Sequence, residues 1–445
     1  MGTRLEADTN NDGNVVKVGP ERKIYSLGAT LAVALTLCSR NFGDRGGPYF
    51  MASLTAAGIV YLLSVREFLA MQRLPRHVIV IGLVLASVWH IEFLRLPAGA
   101  DDDIHRYVWD GRLQRLGYNP YTVIPNDPAV EALHTAETRS LNNPHLPSPY
   151  PAGAQLFFRV VTAIHESAYA LKVAFVICDF AIAGALLDLL RTSGRGAHLV
   201  LVYAWNPLLA IEVAGSGHID IVGVLLLVVS AAALARRWRG IAALSFGLAV
   251  AVKFLPIVLM PLYWKRVRIR DALVAAAVVA LLYVPFVNDG RIPVGSLAGY
   301  VTGFRFNGPI FAALHHVAPS ELLAGLAVLV GLATATWLRS ANFEQSPNVF
   351  AWPMAASLLF APVVFPWYLL WLVPFSMSPS TVVILIWTVS IIPTYVMWHS
   401  RALTGVWGTL PDWVMLLEYG CVAIAAAIVG LRQIRSSRTG GRPIE

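Results

Sequence analysis

The chain is short of charge. Only 13% of its 445 residues are Asp, Glu, Lys or Arg, and 57% are hydrophobic. Soluble globular chains carry about 25% charged residues, so this one cannot cover a water-facing surface of its own size. Cysteine is nearly lacking too. Cys38, Cys178 and Cys421 all fall inside apolar runs without metal-ligand spacing, which excludes a disulfide framework or a Cys-based metal site and leaves buried small hydrophobes. There is no internal repeat and no polar block large enough for a soluble domain. No cleavable signal peptide is expected, because the first apolar run opens near Ile24 and no clear cleavage site follows it.

What is present is a series of apolar blocks of membrane-spanning length, separated by charged loops. Spans are expected at 24–39, 48–65, 77–97, 168–190, 199–214, 219–235, 271–288, 320–338, 348–365, 379–398 and 412–431. Two further stretches are ambiguous. Residues 240–264 lie between two basic clusters, so either they re-enter or one cluster breaks the positive-inside rule. Residues 366–376 are short for a crossing at 1.5 Å per residue. The expectation is an all-α polytopic bundle of about 11–13 helices, one unit over 24–432 between a disordered segment 1–23 and a basic tail 433–445.

The net charge of +8 is no sign of nucleic-acid binding. The excess sits in short loops: Arg66/Arg73/Arg76, Arg236/Arg237/Arg239, Lys265/Arg266/Arg268/Arg270 and Arg432/Arg435/Arg438/Arg442. By the positive-inside rule these loops are cytoplasmic. The longest polar stretch, about 98–167, is then extracytoplasmic, as are 215–220, 289–319 and 399–411, while the C-terminal tail is inside. Residues around 155–166 read as an amphipathic piece.

The chemistry concentrates just past the third span, in Asp101-Asp102-Asp103-Ile104-His105-Arg106-Tyr107-Val108-Trp109-Asp110-Gly111-Arg112. Read as a helix, Asp103, Tyr107 and Asp110 share a face, and Asp102 and Arg106 pair at i, i+4. Three adjacent carboxylates repel, so one is pushed toward protonation or a cation sits nearby. The plainer reading is a helix start, where Asp favours the macrodipole. That needs one Asp, not three, and leaves the following Arg, Tyr, Trp and Asp unexplained. Gly117-Tyr118-Asn119-Pro120-Tyr121 is an aromatic turn, and Tyr150-Pro151-Ala152-Gly153-Ala154-Gln155 follows. Trp109, Tyr121 and Tyr150 suit sugar stacking and an interfacial aromatic belt equally well.

These motifs resemble the first outer loop of the GT-C superfamily of membrane glycosyltransferases, nearest the bacterial polyprenol-phosphate-mannose-dependent alpha-mannosyltransferases. Trp205-Asn-Pro207, Gly215-Ser-Gly-His-Ile-Asp220, Lys253-Phe-Leu-Pro256, Phe306-Asn-Gly308 and Pro366-Trp-Tyr368 extend the resemblance in order over about residues 90–376. One departure is Tyr150-Pro-Ala-Gly in place of Tyr-Pro-Pro-Gly, which alters a turn and no reacting group. The resemblance implies a polyprenyl-phosphate sugar donor, a lipid or glycan acceptor, no nucleotide sugar, and mannose as the sugar moved. It also implies a catalytic acid in the first outer loop, placed most naturally at Asp103, then Asp102, with Asp110 positioning.

Departure of a lipid phosphate requires cations or donors that strengthen as charge develops. Lys253, Arg305, Arg106 and His218 are the candidates. Each has a bland counterpart: snorkelling for Lys253, pairing with Asp102 for Arg106, a polar interhelical turn for His218 and Asp220. Sugar or acceptor contacts fall to Tyr107, Trp109, Asn119, Tyr121, Tyr150, Gln155, Asp220, Asn307, Trp367 and Tyr368. Trp367 and Tyr368 also suit a belt. His90 and Glu92 are read as structural partners of Arg95. The Asp run could hold Mg²⁺ or Mn²⁺ through oxygen ligands, although the superfamily does not require a metal. Two other functions compete. A transporter or flippase would use Lys172, Asp179 and Lys253 as a relay, but transporters usually show repeated halves and midplane sites. A lipid-binding scaffold has no need of clustered carboxylates at a membrane exit. The expected location is the cell membrane, among its lipids, with the active site on the outer side.

Overall fold

The structure is a computed structural model. It describes residues 19–99, 102–287, 303–340 and 347–438, together with 8–9, 15–16, 293, 295–297 and 299. Asp101, most of the segment expected to be disordered, and the end of the basic tail with Arg442 lie outside the described residues.

Among the described residues the chain is helical apart from a two-residue ladder, Asp8–Thr9 against Val15–Val16, and a bridge between Phe306 and Val363. The main helices are α1 Pro20–Arg40, α2 Pro48–Ala70, α3 Arg76–Leu94, α4 Asp103–Arg115, α5 Ala152–Ile164, α6 Ala168–Thr192, α7 Val200–Ala204, α8 Asp220–Ala235, α9 Arg239–Val252, α10 Met260–Tyr263 and α11 Ile269–Tyr283. They continue with α12 Pro309–Leu314, α13 Ser320–Leu338, α14 Ala351–Phe360, α15 Val382–Ser390, α16 Val396–Thr404 and α17 Asp412–Arg438. Seven helical stretches are long and apolar enough to cross a membrane, eight if one bent pair counts as a span. This is a multi-pass helical membrane protein.

Several expected spans are broken, each for a local reason. The stretch 199–214 bends by 66° between Ala197–Ala204 and Leu209–Gly215. Pro207 disfavours helix in the residue before it, and the Asn206 side chain accepts the Leu208 N–H at 3.0 Å. Beyond the bend, Leu209–Gly215 is a π-helical turn. In 348–365 the helix stops at Phe360, and 366–376 consists of short 3-10 turns with a proline at their first or second residue. The stretch over 379–398 tightens to a 3-10 turn at Ile392–Tyr395 but remains one membrane-length stretch, Pro379–Thr404.

The ambiguous stretch 240–264 resolves into a hairpin. Arg239–Val252 climbs beside α8, with Ser230 Oγ donating to the Ala242 carbonyl at 2.6 Å. Lys253 is extended and ends the helix, and Pro256 opens the next turn. The chain then returns until Tyr263 Oη lies 2.7 Å from Ser230. The rising leg of 14 residues is only about 21 Å long. The hairpin enters and leaves at one end, with Lys253 at its apex beside Asp220.

Loops segregate to two ends. One gathers Asp44 with His399, Arg45 with Asp102 and Ser216, and Asn119 with Phe286. The other gathers His198 with Phe68 and Met71, Arg195 with Met377, Arg236 with Asp188, and Arg266 with Arg339. The basic clusters lie at this second end. The amphipathic piece is α5, which packs against α4 and α6 at the first end.

Candidate functional site

Asp102 and Asp103 are adjacent in sequence but differ in company. Asp102 is the residue before the first turn of α4 and is 5% exposed. Its Oδ1 accepts from Arg45 Nη2 at 2.7 Å, and its Oδ2 accepts from the Gly99 N–H at 2.7 Å. The expected pairing of Asp102 with Arg106 does not form, because Arg45 reaches it from the α1–α2 loop. Asp103 is half-buried; its Oδ1 accepts from Asn142 Nδ2 at 2.5 Å, and among the described residues its Oδ2 accepts no hydrogen bond.

Arg106 turns the other way. Its guanidinium donates to the carbonyls of Asn142, Asn143 and Leu146 at 2.7, 2.6 and 3.0 Å. It therefore orders the loop that carries Asn142, and with it the ligand of Asp103.

The turn Ser216–Ile219 lies across from α4. Gly217 takes φ +78, and a Cβ there would meet the Ile104 side chain at 2.5 Å, so only glycine fits. His218 is buried, with Nδ1 3.0 Å from Glu212 Oε2, and its ring stacks on Trp367 at 3.9 Å. Tyr395 donates its hydroxyl to Glu212. The Asp103 and Asp220 carboxylates both act electrostatically on the His218 ring.

Asp220 opens α8 and receives the hairpin apex. Lys253 Nζ lies 2.7 and 2.9 Å from its two oxygens, and Trp371 Nε1 donates to Oδ1 at 2.7 Å. The indole reaches it because Gly223 has no side chain; a Cβ there would lie 2.2 Å from Trp371. Lys253 also sits 4.0 Å above the Tyr368 ring, a cation–π contact. The structure thus brings Asp103, His218, Asp220, Lys253, Trp367 and Tyr368 to one end of the bundle.

Other candidates lie elsewhere. Tyr107 stacks on Phe158 at 4.4 Å and meets the Tyr150 ring edge-on at 5.0 Å. Trp109 stacks on His134 at 4.0 Å within a small core of its own with Leu113, Val130 and Leu141. Asn119 holds the Phe286 carbonyl and the Tyr121 N–H, and Tyr121 donates to the Tyr150 carbonyl. Asp110 is buried, accepting from Ser148 and from Gln155 Nε2 at 2.9 Å. Burial pushes the Asp110 carboxyl up to about 6, against the pull of Arg106 and of these donors. Asn307, at φ 55, donates to Glu418 at 2.9 Å. Arg305 is exposed, with its guanidinium 5.9 Å from the Phe311 ring.

The intramembrane ionisable groups are satisfied locally. Lys172 donates to the Leu96 and Phe93 carbonyls, and Asp179 is held by His90 at 3.0 Å and by Tyr203. His90 is thus the partner of Asp179 rather than of Arg95, and Glu92 accepts from Thr36 and Ser39. Among the described residues no group of three or more His, Cys, Asp or Glu could hold a metal ion. Asp102, spent on Arg45, is no free cation ligand.

Sequence reasoning missed Arg45, Asn142, Glu212, Ser216, Trp371 and Tyr395. One had a signal. Glu212 is a carboxylate inside an apolar run, where an ionisable group suggests function by default.

No curated protein matches the chain. A solved structure similar to it is the crystal structure of ArnT from Cupriavidus metallidurans bound to undecaprenyl phosphate, at 14% identity and a TM-score of 0.45 over 81% of this chain and 72% of that one. The family model for the alpha-(1->6)-mannopyranosyltransferase N-terminal domain matches residues 29–267, more than half the chain and the part that carries Asp103, His218, Asp220 and Lys253. The chain belongs to the alpha-(1->6)-mannopyranosyltransferase family.

Proposed function

We propose that the protein transfers a hexose, mannose by its family, from a polyprenyl-phosphate carrier to a hydroxyl of a lipid or glycan acceptor at the extracytoplasmic face. The observation that carries this reading is one arrangement: a carboxylate, Asp103, whose Oδ2 accepts no hydrogen bond from the described residues, at the end of the bundle that holds Lys253 and His218. In an inverting transfer the acceptor oxygen attacks the anomeric carbon and loses its proton to Asp103. The bond from that carbon to the phosphate oxygen breaks, and the electron pair leaves with the polyprenyl phosphate. Lys253, turned from Asp220 toward the leaving phosphate, and a ring N–H of His218 stabilise the charge that develops there. Trp367 and Tyr368 form an aromatic wall for the sugar or the acceptor. Arg106 acts through Asn142 to set the Asp103 carboxylate, and Asp102 with Arg45 anchors the start of α4. A transport reading gains nothing from the structure, since Lys172 and Asp179 are each satisfied where they stand.

The test is donor dependence in purified protein. Polyprenyl-phosphate mannose, glucose and arabinose are each supplied with a lipid or glycan acceptor. Transfer from the mannose carrier, with release of polyprenyl phosphate, is expected. Asp103→Asn keeps the shape of the side chain but cannot take the proton, and should slow transfer by about 10²–10⁴ while folding normally. Wild-type turnover in that variant would remove the carboxylate from the mechanism.

A further inference from the structure

The end opposite Asp103 carries a second charged feature. A cleft of about 450 Å³ opens there, lined by Arg237, Arg239, Gly240, Arg268, Arg270 and Asp271. These residues come from both roots of the Lys253 hairpin: Arg237 and Arg239 where it starts, Arg268 and Arg270 just past where it returns. Four of the six lining residues are arginines, and Arg270 lies 3.5 Å from Asp271, the carboxylate of the lining. Arg236 is not part of the lining; Asp188 holds it at 2.9 Å. Helices α9 and α11 both begin at this cleft, so their first-turn dipoles add to the positive field.

We propose that this cleft binds the phosphate of an anionic lipid headgroup. Positive-inside loops need basic residues but not a concavity that gathers them. A phosphodiester there meets guanidinium forks, which suit phosphate oxygens better than a point charge does. The surroundings favour a lipid over a soluble anion. Trp238, between Arg237 and Arg239 in the chain, is 53% exposed, Ile269, between Arg268 and Arg270, is 77% exposed, and Trp264 in the same returning segment is 69% exposed. Exposed indoles of this kind settle at the headgroup level of a bilayer, and basic pockets between membrane helices take anionic headgroups. The bound phosphate joins the two roots of the hairpin, so the lipid holds in place the segment whose apex is Lys253. The lipid itself takes no part in the transfer chemistry at the other end.

The experiment uses the full chain in detergent micelles and reads thermal unfolding. Added phosphatidylglycerol should raise the midpoint by several degrees over added phosphatidylcholine, through preferential binding to the folded state. The shift should vanish in Arg237→Gln/Arg239→Gln/Arg268→Gln/Arg270→Gln and persist in Arg73→Gln/Arg76→Gln, which alters a different basic loop. No difference between the two lipids, or an equal loss in both variants, would overturn the site. Inorganic phosphate that stabilises as strongly as phosphatidylglycerol would overturn the lipid assignment. If the fourfold variant does not fold, native mass spectrometry of the wild type decides: one phosphatidylglycerol retained per chain in preference to phosphatidylcholine is expected, and equal retention overturns the proposal.

Discussion

Arg45 and Asp102 form a buried ion pair 2.7 Å long between the loop after α1 and the start of α4. Both side chains are more than nine-tenths buried, and Arg45 also donates to Ser216. The pair therefore ties three loops together beneath Asp103. Removing one partner of such a pair leaves an uncompensated charge and typically costs about 3–5 kcal/mol. Arg45→Met should destabilise the protein on that scale, and Arg45→Met/Asp102→Asn should recover part of the loss. Unfolding of Arg45→Met at the wild-type temperature would contradict this. The contrast with Asp103→Asn is the useful one, since that variant should unfold normally and yet transfer poorly.

Lys253 and Asp220 invite a similar double variant with a different outcome. Lys253→Met strands Asp220 in the bundle and should lower stability; Lys253→Met/Asp220→Asn should restore it. Transfer should stay down by about one to three powers of ten in both, because the missing cation is the one proposed to meet the phosphate. Arg305→Met is the comparison. If Lys253→Met and Arg305→Met both turn over normally, the donor phosphate is held elsewhere.

Asp110 gives a pH signature. Its carboxyl is raised to about 6 in the fold, from 3.8 when unperturbed, chiefly by burial. The folded state then holds a proton that the unfolded chain releases between those values. The stabilising contribution is complete below about pH 4 and is lost as pH rises through 6, by up to about 3 kcal/mol. Asp110→Asn should flatten this part of the profile, measured by thermal unfolding from pH 4.5 to 7. An unchanged slope would assign it to another group.

The proposed topology predicts labelling of opposite kinds. In a background lacking Cys38, Cys178 and Cys421, a cysteine at exposed His145 should react with an impermeant maleimide in intact cells. One at Gln72, on the opposite end, should react only after permeabilisation. The reverse pattern would turn the protein over and place Asp103 on the cytoplasmic side.

Long apolar runs made α2, α3, α6, α13 and α17 readable, since membrane-spanning length is written in composition. The broken segments were harder. Asn206-Pro207 and Lys253-Phe-Leu-Pro256 sit inside apolar runs, and composition alone does not reveal that a chain turns back at a lysine. The site was half legible. Asp102 and Asp103 stand out together, but what separates them is Arg45, more than fifty residues away, and Asn142, about forty. Trp109, Asn119, Tyr121 and Gln155 looked like sugar contacts because aromatic and amide groups serve loop packing and carbohydrate binding equally well. Their partners lie within the loop or at Phe286, and only three-dimensional contact tells the two uses apart.

The hairpin also fixes an order of events. A ribosome delivers Asp220 to the bundle before Lys253 exists, and Lys253 before Trp367, Tyr368 and Trp371. The carboxylate of Asp220 therefore waits for its ammonium, and the pair waits for the indole that covers it. Every family-matched residue of the cluster has been synthesised by position 267, yet its aromatic wall arrives about a hundred residues later. A nascent chain released between those points would carry the polar groups of the cluster without their enclosure. Completion of this cluster is accordingly a late step of synthesis, and the N-terminal part of the chain cannot form it without the rest.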